Sequence, residues 1–346
     1  MTIAEPKSLT PAAARSLPRI GFAGVGWIGR HRMQALIDGG LCIPVAIAEP
    51  GAEAAAAALE SAPEAERAKD FEELIARDDL DAVVIATPSA AHASQSIAAL
   101  ERGLAVFCQK PLGRNAAEVS AVIEAAKSAD RLLGVDLSYR HTVAMQEIRK
   151  AIQGGMLGDI FSIDLVFHNA YGPDKPWFYD KALSGGGCVI DLGVHLVDLA
   201  LWALDFPQVK SIESHLHAGG KPLTSSDQVE DHAIATITLS SGAVVRLACS
   251  WKLQAGHEAE IAARFYGTAG GLEMHNVNGS FYDFRARAMQ GTASETLAEP
   301  PDQWGGRAII DWAEKLAQST AFRPEAENLI DVSKVLDGIY RDAIAG

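Results

Sequence analysis

The sequence predicts an α/β domain built on a parallel sheet, followed by an α+β domain that is rich in strands. Between residues 19 and 136, short apolar segments alternate with helical segments, which is typical of a parallel sheet covered on both faces. From residue 209 onward, strand patterns dominate until two final helices. A length of 346 residues is enough for two domains and a large core.

Composition argues against several classes of partner. The net charge is −14 and no basic cluster occurs, so we expect neither nucleic acid nor an anionic membrane as a partner, and we see no apolar run that would span a bilayer. The four cysteines form no C-x-x-C pair, which is typical of reduced thiols in a cytoplasmic protein. Residues 1–18 contain three prolines and lack a basic start before an apolar block. They predict a flexible tail and no signal peptide.

The first predicted strand, over residues 20–23, leads into a glycine-rich turn. Gly24, Gly26 and Gly29 form a G-x-G-x-x-G pattern, and a helix is predicted over residues 28–38. The first glycine permits a tight turn, the second lets the backbone approach a pyrophosphate, and the third lets the helix pack on the strand. Since a helix N-terminus also attracts anions, this stretch predicts a dinucleotide site.

An acidic residue ends the second predicted strand. Glu49 follows the apolar residues 45–48 and lies about 20 residues past the last glycine, where a Rossmann unit holds the ribose hydroxyls. A carboxylate at this point repels a 2′-phosphate, so we predict NAD in preference to NADP. The alternative is an ordinary surface glutamate at the end of a strand.

The remaining elements of the first half predict where its loops meet. Strands are predicted over residues 81–86, 104–108 and 131–136. Helices are predicted over residues 52–59 and 71–76, after residue 89 up to residue 102, and from an Asn115 cap to about residue 129. Ligands bind at the carboxyl ends of parallel strands, so the glycine turn, residues 87–92 and residues 109–111 should converge. Lys110 in the last loop has the chemistry to donate a hydrogen bond to a substrate hydroxyl. A solvated surface lysine is the alternative.

A helix predicted over residues 188–204 carries ionisable groups in an apolar setting. Its circumference is almost entirely apolar, so the helix should be buried. Asp191, His195 and Asp198 nevertheless lie on one stripe, at positions i, i+4 and i+7. Such groups need a partner or a cleft, and a histidine suits the removal of a proton from an alcohol. A buried ion pair is the alternative; a shared metal lacks a third ligand with local spacing.

The rest of the second half predicts a large sheet and a loop of mixed character. The loop over residues 168–180 is polar and aromatic, and fits either a sugar pocket or a plain surface. The free face of the sheet should be covered in a homo-oligomer. His215 and His217 share a strand face, where solvation is commoner than metal binding. Strands are predicted over residues 160–167, 209–217, 229–239, 243–252, 260–266 and 271–274, and helices over residues 144–153, 302–319 and 324–344.

These features together resemble the Gfo/Idh/MocA family, named for glucose–fructose oxidoreductase and inositol dehydrogenase. The resemblance covers nearly the whole chain from Arg19. It departs at Gln109, where the family usually shows glutamate, so a negative charge beside Lys110 is missing. The matching motifs are Gly24-Val-Gly-Trp-Ile-Gly29 with His31, Ala48-Glu49-Pro50, Thr87-Pro88-Ser89 with His92, Gln109-Lys110-Pro111, Gly185-Gly-Gly187, Asp191-Leu-Gly-Val-His195 with Asp198, Val229-Glu230-Asp231, Ser250-Trp251 and Gly267-Thr268 with Gly270.

The resemblance implies a fold and an activity. It implies a Rossmann domain over residues 19–138 and, over residues 139–346, an α+β domain with a large, mostly antiparallel open-faced sheet through which a homodimer or homotetramer forms. The implied activity is NAD(P)-dependent oxidation of a sugar, cyclitol or related polyol hydroxyl. In this reading Lys110 hydrogen-bonds the reacting hydroxyl, His195 is the acid–base group, and Asp191 binds or orients the substrate.

The predicted site has two parts and no metal. Substrate contacts are expected from Arg140, His168, Trp177, Asp191 and His195. Two other functions fit the same fold: an NAD-retaining enzyme that cleaves glycosidic bonds by transient oxidation, and a non-catalytic NAD-binding regulator. The presence of both Lys110 and His195 argues against the second. Cofactor contacts are expected from Gly24, Val25, Gly26, Trp27, Ile28, Gly29, Glu49, Thr87, Pro88, Ser89, His92, Gln109 and Lys110.

Overall fold

A computed structural model describes residues 17–345, so almost all of the predicted tail lies outside the described residues. The first sheet has six strands, all parallel, in the order β3-β2-β1-β4-β5-β6. The chain order reverses between β1 and β4, which is where ligands bind in such sheets. The strands are β1 (Arg19–Ala23), β2 (Ile43–Ala48), β3 (Glu66–Ala68), β4 (Ala82–Ile85), β5 (Ala105–Cys108) and β6 (Leu133–Val135).

Helices cover both faces of this sheet. Asn115 caps its helix as predicted, since its side chain accepts a hydrogen bond from the backbone N–H of Glu118. The sequence did not predict β3, a three-residue edge strand with two exposed side chains and no apolar pattern. The helices are α1 (Trp27–Asp38), α2 (Ala52–Ser61), α3 (Phe71–Ile75), α4 (Ser89–Glu101) and α5 (Ala116–Ala129).

The second sheet has nine strands in the order β15-β14-β13-β12-β7-β11-β10-β8-β9. Only the β7–β11 pair is parallel, so the prediction of a large, mostly antiparallel sheet is confirmed. The strands are β7 (Ile160–Asn169), β8 (Val209–Ala218), β9 (Lys221–Pro222), β10 (His232–Leu239), β11 (Val244–Ser250), β12 (Ala259–Gly267), β13 (Gly271–Asn276), β14 (Phe284–Gln290) and β15 (Ala293–Ala298).

One face of the second sheet packs on the helices α6 (Val143–Gln153), α8 (Val194–Ala203) and α10 (Asn328–Ala345), and the other face is polar. On the polar face Arg246 and Asp164 form an ion pair at 2.6 Å across neighbouring strands. The helical stretch from Lys181 to Ala203 is, by length and composition alone, long and apolar enough to cross a membrane. This corrects our expectation that the sequence contains no such run. In the 18-residue segment that meets this criterion, 94% is buried inside the protein. The other α-helices are α7 (Lys181–Ser184) and α9 (Arg307–Gln318).

Helix α9 returns to the first sheet, although the sequence assigned everything after residue 138 to the second domain. The ring of Trp312 lies 5.5 Å from the ring of Phe107 on β5. A Cβ at Gly134 on β6 would lie 2.5 Å from Trp312, so only glycine leaves room for the indole. The first sheet therefore completes one of its faces with a helix from the C-terminal part of the chain.

Candidate active site

The carboxyl edge of the first sheet opens into a cleft of about 1880 Å³ between the two domains. Residues from both domains line it, and the sequence had singled out many of them. The lining includes Gly24, Gly26, Trp27, Ile28, Glu49, Thr87, Pro88, Ser89, His92, Gln109 and Lys110 from the first domain, and Tyr139, Trp177, Asp191, His195, Tyr282 and Trp304 from the rest of the chain.

The glycine turn has the geometry that a pyrophosphate needs. Gly24 has a φ of +79°, and a Cβ there would lie 2.5 Å from the carbonyl oxygen of Ala86. A Cβ at Gly29 would lie 2.0 Å from the Gly24 carbonyl oxygen, whereas a Cβ at Gly26 would meet nothing within 4 Å. Helix α1 makes its first backbone hydrogen bond from Arg30 to Gly26, so the amides of its first turn, from Trp27 to Gly29, are available to an anion. These residues fit a bound dinucleotide.

Glu49, which follows β2, is hydrogen-bonded to the glycine turn. Its carboxylate accepts hydrogen bonds from the backbone N–H groups of Val25 at 2.9 Å and Gly51 at 2.8 Å. Each carboxylate oxygen has further lone pairs for ribose hydroxyls. The side chain is therefore part of the cleft and not an unengaged surface glutamate.

His92 links the two other loops of the first domain. Its ring nitrogens lie 2.7 Å from the carbonyl oxygen of Pro111 and 2.6 Å from that of Thr87. Burial lowers the pKa of His92 in spite of these contacts. Both nitrogens are engaged with backbone, so His92 holds the loops in place and has no ring nitrogen left for a cofactor.

Gln109 replaces the glutamate expected from the resemblance, and the structure shows what it contacts. Its amide Nε2 donates to Asp136 at 2.9 Å, and its Oε1 accepts from the backbone N–H of Lys110 at 2.8 Å. Asp136 is fully buried and also binds Arg32 at 2.6 Å. The negative charge in this part of the cleft thus comes from Asp136, and an amide at position 109 can donate to it.

Lys110 reaches across the cleft to the second domain. Its Nζ donates to Oδ1 of Asp191 at 2.8 Å and to the Asp191 carbonyl oxygen at 2.7 Å. The other carboxylate oxygen of Asp191 accepts from the indole N–H of Trp251 at 3.0 Å. An ammonium group has three donors, so one N–H of Lys110 remains for a ligand.

His195 lies beside this pair with its ring almost fully buried. The ring packs 4.8 Å from that of Tyr139, and its Nδ1 is buried without a hydrogen-bond partner. Burial, and then the positive charges of Lys110 and Arg32, hold the pKa of His195 well below its usual range. The imidazole is therefore neutral at neutral pH and able to accept a proton.

Asp198 and Arg140 lie away from the cleft, which corrects two expectations. The buried Asp198 accepts two hydrogen bonds from Arg140, one of them at 2.7 Å, and the guanidinium packs over the ring of Trp202. The chain is π-helical over Val189–Gly193, so the α-helical spacing that placed Asp191 and Asp198 on one stripe does not hold. The buried ion pair, which was our alternative, describes Asp198, and Arg140 is not among the residues that line the cleft.

His168 is also outside the cleft, although we expected it to contact substrate. Strand β7 continues to Asn169, so residue 168 belongs to the sheet and not to the loop. Its Nδ1 lies 2.8 Å from the hydroxyl of Ser250, and its ring stacks on that of His232. Trp177, by contrast, does line the cleft.

Another histidine lies on the same face of the second sheet. His217 opposes His232 in the register of β8 and β10. In the described part of the chain, no group of three histidine, cysteine, aspartate or glutamate side chains could hold a metal ion.

Sequence reasoning missed several aromatic residues of the cleft. The ring of Tyr139 contacts those of His195 and Trp304, and burial raises the pKa of its hydroxyl. Tyr282 is 57% exposed at the cleft. Tyr139 lies four residues past Val135, the end of the last strand of the first sheet, close to where a ligand site was predicted, and that position was a usable signal. Tyr282 and Trp304 carried none, because they lie in irregular segments.

Two family models match the chain. One, described as "Oxidoreductase family, NAD-binding Rossmann fold", matches residues 18–137. The other, "GFO/IDH/MocA C-terminal domain", matches residues 145–273. The chain belongs to the Gfo/Idh/MocA family.

Curated relatives of this Gfo/Idh/MocA protein include enzymes named for sugars. D-glucoside 3-dehydrogenase of Escherichia coli K12 is 28% identical over 56% of this chain and 58% of its own length. Levoglucosan dehydrogenase of Pseudarthrobacter phenanthrenivorans is 27% identical over 73% of this chain and 72% of its own length. The chain thus spans less than two thirds of the first of these relatives.

Solved structures confirm the fold over almost the whole Gfo/Idh/MocA chain. A levoglucosan dehydrogenase in complex with NADH and levoglucosan aligns with a TM-score of 0.80 at 22% identity, over 95% of this chain and 98% of that one. A 3-ketoreductase from Actinomadura kijaniata in complex with NADP and TDP-benzene aligns with a TM-score of 0.81 at 21% identity, over 94% and 98%. Related proteins thus carry either dinucleotide.

Proposed function

We propose that this protein is an NAD-dependent dehydrogenase that oxidises a secondary hydroxyl of an uncharged sugar, cyclitol or related polyol. The observation that carries the proposal is the convergence of Lys110, Asp191 and the neutral His195 in one cleft with the glycine turn. Curated relatives named D-glucoside 3-dehydrogenase and levoglucosan dehydrogenase support this class of substrate. The carboxylate of Glu49 at the ribose position supports NAD over NADP.

The three residues divide the work at the substrate hydroxyl. The nicotinamide, when bound, accepts the hydride. The free N–H of Lys110 donates to the hydroxyl oxygen and stabilises the negative charge that develops there. His195 accepts the hydroxyl proton, because its low pKa keeps the imidazole neutral at the start of the reaction. Asp191 holds the lysine in place with two of its oxygen atoms.

The charges of the cleft favour an uncharged substrate. Every lysine and arginine that lines the cleft within residues 17–345 lies within 4 Å of a carboxylate, so each positive charge of the lining has a negative charge beside it that disfavours a second anion. Aromatic side chains such as Trp177 and Tyr282 offer faces on which a sugar ring packs. The pairs are Arg32–Asp136, Lys69–Asp70, Lys110–Asp191, Lys175–Asp174 and Arg307–Asp302.

A panel of substrates tests this proposal. The absorbance of NADH is followed after purified protein is mixed with NAD and glucosides, anhydrosugars, inositols or free aldoses, each beside a phosphorylated or carboxylated analogue. We expect NADH to form with an uncharged compound and not with its charged analogue. Preference for a charged analogue would contradict the charge argument. NAD that stays bound while a glycosidic bond is cleaved, without net NADH, would indicate the NAD-retaining alternative.

We also propose a homodimer or homotetramer that forms through the polar face of the second sheet. Ile234 on this face is 46% exposed in the middle of β10, where a partner would cover it. Sedimentation of the wild type and of Ile234→Arg tests this, and we expect the variant to form a smaller assembly; assemblies of equal size would contradict the proposal.

The four cysteines are free and buried, which supports a cytoplasmic location as a further proposal.

A further inference from the structure

The chain that carries Asp191 passes in close contact with two residues, Glu230 and Tyr340. A Cβ at Gly186 would lie 2.0 Å from the hydroxyl of Tyr340, and one at Gly187 would lie 1.8 Å from the carbonyl oxygen of Glu230. Only glycine permits this approach. The glycines before the π-helical turn therefore allow the backbone to lie directly against Glu230 and Tyr340.

Glu230 binds the start of that turn with several hydrogen bonds. Its carboxylate, which is 0% exposed, accepts from the backbone N–H groups of Gly187 at 3.0 Å and Val189 at 2.9 Å, and from the Tyr340 hydroxyl at 2.7 Å. Its carbonyl oxygen accepts from the N–H of Cys188 at 3.1 Å. Three successive amides at the start of a helical segment, which the segment itself leaves unpaired, are thus bound by one residue.

Asp231, the residue that follows Glu230, also supports Asp191, through Trp251. The carbonyl oxygen of Asp231 accepts from the backbone N–H of Trp251 at 2.7 Å, and the indole of Trp251 in turn donates to Asp191. The turn that carries Asp191 and the tryptophan that holds its carboxylate are therefore both tied to residues 230 and 231. Among the described residues, the donors to the Glu230 carboxylate are backbone N–H groups and the Tyr340 hydroxyl, and no lysine or arginine pairs with it, so its contacts are those of a backbone anchor and not of an ion pair.

We propose that Glu230, with Tyr340, is a positioning residue that sets the place of Asp191 and thereby of Lys110. This inference rests on the proposed function for its effect on turnover, and on geometry alone for its effect on Lys110. A displacement of about 1 Å at a reacting group lowers a rate by roughly 100-fold. A residue fixed this firmly to the backbone of the turn is placed to prevent such a displacement.

Two variants and one matched control test the proposal. Glu230→Gln keeps the oxygen that accepts three of the hydrogen bonds but places an NH2 group against the N–H of Gly187. Tyr340→Phe removes one hydroxyl donor. Asp337→Asn is the control, because Asp337 on the same helix α10 also accepts a backbone N–H, that of Ala116 at 3.0 Å, at the start of α5 and outside the cleft.

Turnover is the first readout. We expect Glu230→Gln to lower kcat by roughly 10- to 100-fold, with little change in the Kd for NAD, and Tyr340→Phe to lower kcat by a smaller factor. Asp337→Asn should leave both constants unchanged. An equal loss of kcat in Asp337→Asn would mean that a general loss of stability is the cause, and would overturn the proposal.

The reactivity of Lys110 is the second readout and requires no turnover. Trace acetylation followed by mass spectrometry should show Lys110 reacting several-fold faster in Glu230→Gln than in the wild type, because its hydrogen bonds to Asp191 are loosened, with no change in Asp337→Asn. Unchanged reactivity in both test variants would overturn the proposal. If Glu230→Gln does not fold, Tyr340→Phe alone decides. Faster labelling in a protein whose wild type oxidises no polyol would refute the proposed function and leave the positioning role intact.

Discussion

Gln109 shows how one residue sets the charge of its surroundings through the groups that it contacts. The amide donates to the buried Asp136, which already carries the negative charge paired with Arg32. A glutamate at position 109 would place a second carboxylate at about the same 2.9 Å from Asp136. Two like charges at that distance in a buried site do not both ionise.

The variant Gln109→Glu tests this reading. We expect the unfolding free energy at neutral pH to fall by roughly 1–3 kcal/mol, because a buried charge loses its donor. The new pair should share a proton with a raised pKa, so the loss should shrink as the pH falls. Thermal unfolding of both proteins across a pH series measures it. A variant as stable as the wild type at neutral pH would contradict the account.

The burial of His195 leads to a prediction about pH dependence. The proposed base must be neutral, and its pKa lies below the ordinary value of 6.5. The kcat/KM for oxidation should therefore rise with pH on the acid side, with an apparent pKa below 6.5, and be level at neutral pH. In His195→Asn this ionisation should disappear together with most of the activity. An unchanged acid limb in that variant would show that another group is the base.

At the scale of elements, two glycines of the same turn have different roles, one in binding and one in folding. Gly26 has an ordinary φ of −58°, and a Cβ there meets no protein atom within 4 Å, whereas a Cβ at Gly29 would collide with backbone at 2.0 Å. The second glycine therefore leaves space for a ligand, and the third leaves space for the protein itself.

The variants Gly26→Ala and Gly29→Ala should therefore behave differently. We expect Gly26→Ala to keep its Tm and to bind NAD at least about tenfold more weakly, a loss of about 1.4 kcal/mol. Gly29→Ala should lose stability as well as binding. Calorimetric titration and thermal unfolding of both variants measure this. Unchanged NAD affinity in Gly26→Ala would mean that the pyrophosphate lies elsewhere.

The sequence predicted elements where the physics is local. Apolar strands, the Asn115 cap and the glycine turn were found because their signals lie within a few residues. Strand β14 was missed because alanines fill inward positions at residues 286 and 288 and give a weak alternation, and β15 was missed because four of its six residues are exposed. The packing of α9 on the first sheet joins residues some 200 positions apart, as Trp312 and Phe107 show, and no local pattern encodes it.

The candidate site was likewise predicted correctly only in part. Lys110, Asp191 and His195 stood out because charged groups in apolar segments require a reason. Arg140 and His168 were misplaced because their location depends on a distant partner, Asp198, and on where strand β7 ends.

At the scale of the whole molecule, buried histidines make stability depend on pH. In each of seven histidines burial lowers the pKa, so the unfolded chain takes up protons near pH 6.5 before the folded protein does. Acid therefore favours unfolding. The carboxyls of Glu230, Asp198 and Asp337 have pKa values that burial raises, and they act in the opposite sense, at pH values above their ordinary pKa. The histidines are His31, His92, His141, His168, His195, His232 and His275.

The unfolding free energy should accordingly fall as the pH drops below 6.5. Each of the two fully buried histidines, His92 and His195, contributes up to about 1.4 kcal/mol per pH unit. Denaturant titrations between pH 7.5 and about pH 5.5 measure the slope. A His92→Asn variant should show a shallower slope, and stability that rises on acidification over this range would contradict the prediction.

The most direct test of the central claim compares NADH formation by the wild type and by Lys110→Met, with an uncharged sugar or cyclitol as substrate. The ammonium of Lys110 is the only charged donor proposed to contact the reacting hydroxyl, so the variant should lose activity by roughly 100-fold or more while binding NAD with an unchanged Kd. That result would establish hydride transfer at the cleft where Lys110 meets Asp191. Normal turnover in Lys110→Met would contradict the account.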